Sequence, residues 1–134
     1  MIRPARTLSD VELAIRSAWS RETCDEVDVD DWSVTNPARG QCGATALTLH
    51  DLLGGDLLEA EVLHSDGSRQ GYHAWNRLAG VEIDLTLEQF SSTEMVQTPH
   101  VVQRLPGPPG RGGEQYLLLR ARVLETLGIA FTRP

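Results

Sequence analysis

Basic residues, cysteines and long apolar runs are scarce in this chain, and each scarcity closes a class of function. Twelve Lys and Arg against nineteen Asp and Glu leave a formal net charge of -7 over 134 residues. Nucleic-acid phosphates and anionic membranes need concentrated positive charge, so neither is an expected partner. No apolar stretch approaches the ~18 residues that cross a bilayer. Met1 to Ser20 carries scattered charges and has no apolar core ahead of a small-residue cleavage site. A soluble, cytoplasmic protein is expected. Cys24 and Cys42 are the only cysteines, and neither belongs to a Cys-x-x-Cys pair. That removes a disulfide framework and the usual zinc spacings, and no metal or cofactor is expected. A thiol in a reducing compartment is left free to act as a nucleophile.

The length suits a single domain over 1–134, with any substrate site built on the core itself. Ser9 followed by Glu12 reads as a capping box, and Val11, Ala14, Ile15, Ala18 and Trp19 recur at helical spacing, which predicts a helix over about 10–22. The acidic stretch 24–31 reads as a loop. Asn36-Pro37 and Gly40 punctuate the chain before a second helix, about 42–53, which stops at Gly54-Gly55. Within it Cys42, Ala46, Leu49 and Leu53 form one stripe, so Cys42 opens a core-facing helix at its positive end.

Strands are predicted over about 57–64, 70–78 and 81–86, joined by turns at Asp66-Gly67 and Ala79-Gly80. Two-residue turns would set Ala60 opposite His73 and Trp75 opposite Asp84. His73 then lies on the face carrying Leu58, Ala60 and Val62, diagonal to Asp84. Residues 91–113, rich in Ser, Thr, Pro and Gly, read as a surface loop, and 114–127 as a C-terminal helix ending at Gly128. The expected architecture is α+β, a nucleophile-bearing helix packed on a small antiparallel sheet.

Helix-start Cys42, then His73, then Asp84 is an order in which thiol hydrolases and acyltransferases supply nucleophile, base and orienting acid. A helix N-terminus and an imidazolium both stabilise a thiolate. The Cys42 N–H is one candidate donor to the oxyanion of an attacked carbonyl, and a second donor is sought in the side-chain amide of Asn36 or Gln41. Trp75, two residues from His73 on the same face, is the tryptophan placed to touch substrate. Any one of these residues alone is ordinary: a cysteine on an apolar stripe is more often a packed small hydrophobe. The conjunction and order argue for chemistry. His50, His64 and His100 read as solvated.

The run Asn36-Pro37-Ala38-Arg39-Gly40-Gln41-Cys42-Gly43-Ala44-Thr45-Ala46-Leu47, with Asp51-Leu52-Leu53-Gly54-Gly55, His73-Ala74-Trp75-Asn76-Arg77-Leu78, Asp84-Leu85-Thr86-Leu87-Glu88-Gln89-Phe90 and the Ala18 to Thr23 segment, resembles the bacterial YunG-like family. That family is similar to transglutaminase-like and papain-like cysteine enzymes. The resemblance implies their core, with Cys42 as nucleophile, His73 as base and Asp84 as orienting acid. Papain-like proteases place a Gln six residues before their cysteine, the position Asn36 holds here. Ala74 departs from the aromatic expected beside the histidine.

These features point to a thiol-dependent hydrolase or acyltransferase that attacks an amide or thioester carbonyl. Its substrate would be a small molecule or a carrier-bound acyl group. The alternative is a non-catalytic binding or structural protein on the same fold.

Overall fold

Thr7 opens the first helix. Its hydroxyl accepts the Asp10 N–H at 3.1 Å while the Asp10 carboxylate accepts the Thr7 N–H at 2.8 Å. In the computed structural model, which describes residues 7–129, this capping box starts α1 (Leu8–Ala18). The expected box at Ser9 and Glu12 and the helix over 10–22 are therefore corrected. Glu12 instead pairs along the helix with Arg16 at 3.0 Å. The helix ends where Trp19 turns extended. A short 3-10 helix follows at Arg21–Thr23, and the acidic stretch, expected as a loop, winds into a second at Glu26–Asp31, capped by Asp25 accepting the Val27 N–H. The single-domain reading also covers residues 1–6 and 130–134, which lie outside the described residues.

Helix α2 (Cys42–Leu53) has the predicted bounds and stops at Gly54. Helix α3 (Gly113–Leu127) packs on both α1 and α2. Val11, Ile15, Trp19, Leu49, Leu119 and Val123 interlock in the main core. Each large aliphatic side chain so buried contributes about 1.5–3 kcal/mol over leaving it exposed. The C-terminal part of α2 is also tied by charge. The Asp51 carboxylate accepts from Arg104 at 2.7 Å, from Arg120 at 3.1 Å and from the Tyr116 hydroxyl. One carboxylate thereby joins α2, α3 and the segment before α3.

The sheet is antiparallel, ordered β3-β2-β1-β4, with β5 also on β1. Its strands are β1 (Asp56–Leu63), β2 (Arg69–Leu78), β3 (Val81–Ile83), β4 (Met95–Val96) and β5 (His100–Val102). The architecture is α+β. Ala60 faces His73 as predicted, though by another route. His64 N–H donates to the Ser68 carbonyl, so Ser65–Gly67 is a three-residue turn. Gln70 then bulges between the Leu63–Arg69 and Val62–Gly71 pairs. The two irregularities cancel. At the other end Ala79 and Gly80, with φ of 50° and 81°, form the two-residue turn that sets Leu78 opposite Val81.

Two further expectations are overturned. The third strand ends at Ile83, leaving Asp84–Thr86 irregular ahead of the 3-10 turn Leu87–Gln89. The segment 91–113 is not all loop: β4 and β5 pair with the outer edge of β1, and Gln97 N–H donates to the Glu61 carbonyl there. An open strand edge holds unpaired donors and acceptors, and even short segments containing Val96, Val101 and Val102 satisfy them.

Candidate active site

Cys42 reaches the start of α2 through a turn that only glycine can make. Gly40 has φ of 72°, and a Cβ there would fall 2.4 Å from Cys24 Sγ and 2.9 Å from Asp28 Cβ. Its carbonyl accepts the Asp25 N–H at 2.9 Å, and its own N–H donates to Gln89 Oε1 at 3.1 Å. Beyond it Gln41 occupies the N-cap without capping. Its buried side chain turns inward, accepting from the Thr23 hydroxyl at 2.7 Å and donating to the Ser20 carbonyl at 2.9 Å. The first-turn N–H groups of α2 thus have no side-chain cap, and the helix itself offers them no partner. Cys42, Gly43 and Ala44 form one wall of a cleft of about 760 Å³.

His73 lines the same cleft, fully buried. Its Nε2 and Asp84 Oδ2 lie 2.7 Å apart, while Asp84 Oδ1 accepts the Thr86 N–H. Trp75 stacks on the ring at 5.1 Å between centroids, and Phe90 meets it edge-on at 4.8 Å. With Nε2 committed to Asp84, the nitrogen left for the thiol is Nδ1, which has no hydrogen-bond partner among the described residues. Burial disfavours the imidazolium, but Asp84 and the neighbouring Cys42 outweigh it and raise the His73 pKa to about 9.

Cys24 shows the opposite environment. Its thiol is buried and directed at the Arg39 and Asp25 carbonyls. Burial together with Asp28 and Asp25 pushes its pKa up to about 12.

Of the residues singled out in the sequence, Cys42 and His73 line the cleft, and Asp84 is joined to His73. The two amides proposed as oxyanion donors are used elsewhere. Gln41 braces the Ser20–Thr23 turn, and Asn36 Nδ2 donates to the Gln89 carbonyl at 3.0 Å, away from the cleft wall. Trp75 does not line the cleft either. It backs His73 and donates its indole N–H to Glu82 at 2.6 Å, because a ring stacked behind the imidazole cannot also stand in front of it.

Sequence reasoning missed Gln89 and Phe90, both cleft-lining. Their signal was a Gln-Phe pair closing the motif that Asp84 opens. Ala74 lines the cleft, so the small residue at that position leaves its wall open. Further along, the wall is apolar, with Ala46, Leu47, Leu57, Leu58 and Val102. Arg111 and Asp25 line the cleft too, paired at 3.1 Å. Among the described residues no group of three or more His, Cys, Asp or Glu side chains could hold a metal ion, and no helix is long and apolar enough to cross a membrane.

Fold and site define a small α+β protein in which a helix-start cysteine shares one cleft with a buried histidine that an aspartate holds. Within that class the chain belongs to the YunG protein family, which it matches over residues 7–128. A relative in Bacillus subtilis (strain 168), "Uncharacterized protein YunG", is 31% identical over 99 residues, covering 74% of this chain and 71% of that one. No solved structure matches the chain.

Proposed function

We propose that this protein is a thiol-dependent hydrolase or acyltransferase of transglutaminase-like or papain-like type, acting on an amide or thioester carbonyl through an acyl-enzyme on Cys42. The observation that carries this reading is the buried His73, held by Asp84 at 2.7 Å and close enough to the Cys42 thiol to interact with it. Asp84 orients the ring and stabilises its cation, and the imidazolium and the α2 N-terminus favour the thiolate.

The thiolate attacks the carbonyl carbon. An S–C bond forms, and the carbonyl π pair moves to oxygen. As the oxyanion collapses, the bond to the leaving group breaks, and an amine leaves with the proton of His73. His73 then takes a proton from water or an acceptor amine, whose attack on the thioester releases the acyl product and regenerates the thiolate-imidazolium pair. The apolar wall supports an acyl group as the part of the substrate held beyond Cys42. A reducing cytoplasm suits the chemistry.

The test combines iodoacetamide alkylation near neutral pH with intact-mass detection of adducts after exposure to acyl thioesters and activated esters. Cys42 is expected to alkylate much faster than a free thiol and to accumulate one acyl group. Cys42→Ala should remove both signals, and Cys24→Ser should change neither. Alkylation of Cys42 slower than a free thiol, with no acyl adduct, would leave the non-catalytic reading in its place.

A further inference from the structure

With Asn36 and Gln41 otherwise engaged, the cleft still holds an amide nitrogen that no described residue uses. Gln89 is 4% exposed and lines the cleft with Gly40, Cys42, Gly43 and His73. Its orientation is fixed, because Oε1 accepts the Gly40 N–H at 3.1 Å and only an oxygen can accept there. Its other polar atom, Nε2, is a buried donor without a hydrogen-bond partner among the described residues. A buried amide N–H left unpaired is costly, so its presence here points to a ligand that supplies the acceptor.

We infer that Gln89 Nε2 is the side-chain donor to the oxyanion, acting with the Cys42 backbone N–H. The assignment rests on the thiol-enzyme reading above. Two contacts hold the donor. Asn36 Nδ2 grips the Gln89 carbonyl at 3.0 Å, and the Gly40 N–H grips Oε1. Gly40 lies two residues before Cys42, so the amide is anchored to the same turn that delivers the thiol. Asn36 is then a positioning residue. When a substrate carbonyl is attacked, its oxygen gains negative charge between the uncapped α2 N-terminus and this amide. A fixed donor there acts in the transition state without reorganising.

The test sets an attack that generates an oxyanion against one that does not. Both rates are taken at a pH where Cys42 is ionised in every variant: acetylation of Cys42 by p-nitrophenyl acetate, and its alkylation by iodoacetamide. Gln89→Glu keeps an acceptor for Gly40 and removes the donor, and Gln89→Met removes the donor without adding charge. Both are expected to lower acetylation by roughly 10²-fold while alkylation stays near wild type. Asn36→Ala should show the same split to a smaller degree.

Wild-type acetylation rates in both Gln89 variants would overturn the inference and leave the thiol chemistry standing. Equal loss in both assays would make Gln89 a brace for Gly40 and overturn it too. A wild type that gains no acetyl group on Cys42 would remove this inference and the enzyme reading together.

Discussion

A histidine sealed from water ordinarily gives up its proton, because burial penalises the charged ring. His73 keeps it, since Asp84 and Cys42 outweigh burial and raise the pKa from 6.5 to about 9. The folded state therefore binds this proton more tightly than the unfolded chain. The resulting stabilisation is fully present below pH 6.5 and is lost as pH rises through about 9. An NMR titration of the ring should place its midpoint near 9. Asp84→Asn should bring that midpoint down and flatten the fall in urea midpoint between neutral and mildly alkaline pH; an unmoved midpoint would show that Asp84 is not what holds the charge. Cys42, His73 and Asp84 were legible in the sequence because helix punctuation and strand alternation determine their faces. The amides were not. A Gln or Asn has no periodicity of its own, and its role depends on which partners take its two ends, as the engagement of Gln41 with Thr23 and Ser20 shows.

At the scale of elements, the turn into α2 depends on the absence of one carbon. Gly40→Ala would add a Cβ that overlaps Cys24 Sγ and Asp28 Cβ at a backbone φ of 72°. Strain and overpacking together are expected to cost about 2–4 kcal/mol in denaturant unfolding. Adding Cys24→Ala should recover only part of this, because the Asp28 contact remains; full recovery would place the whole effect on the sulfur. The α2 bounds were readable from Gly40 and Gly54, and the β1–β2 pairing was correct at His73 although its turn was misjudged. A three-residue turn followed by a one-residue bulge leaves side-chain alternation beyond Gly71 as a two-residue turn would, so pattern alone cannot tell them apart. β4 and β5 were illegible for another reason. Strands of two and three residues have too little alternation to register, and they exist because β1 offers an open edge.

Across the whole molecule, the Asp51 contacts fix α2 against α3, so the thiol-bearing helix is a rigid wall and the apolar cleft beyond it has a set depth. Each methylene of an acyl chain buried there is worth ~0.8 kcal/mol, which predicts up to about a fourfold gain in kcat/KM per added carbon across short p-nitrophenyl esters. Val102→Trp should abolish the gain while sparing acetate, and no dependence on chain length would place the acyl group elsewhere. Arg111 and Asp25, also on the cleft lining, meet in an exposed ion pair. Such pairs hold with less than about 1 kcal/mol and weaken in salt. The Asp25–Arg111 contact on the cleft lining therefore answers to ionic strength: added salt is expected to loosen it while leaving the contact of Asp84 with the sealed His73 ring nearly untouched.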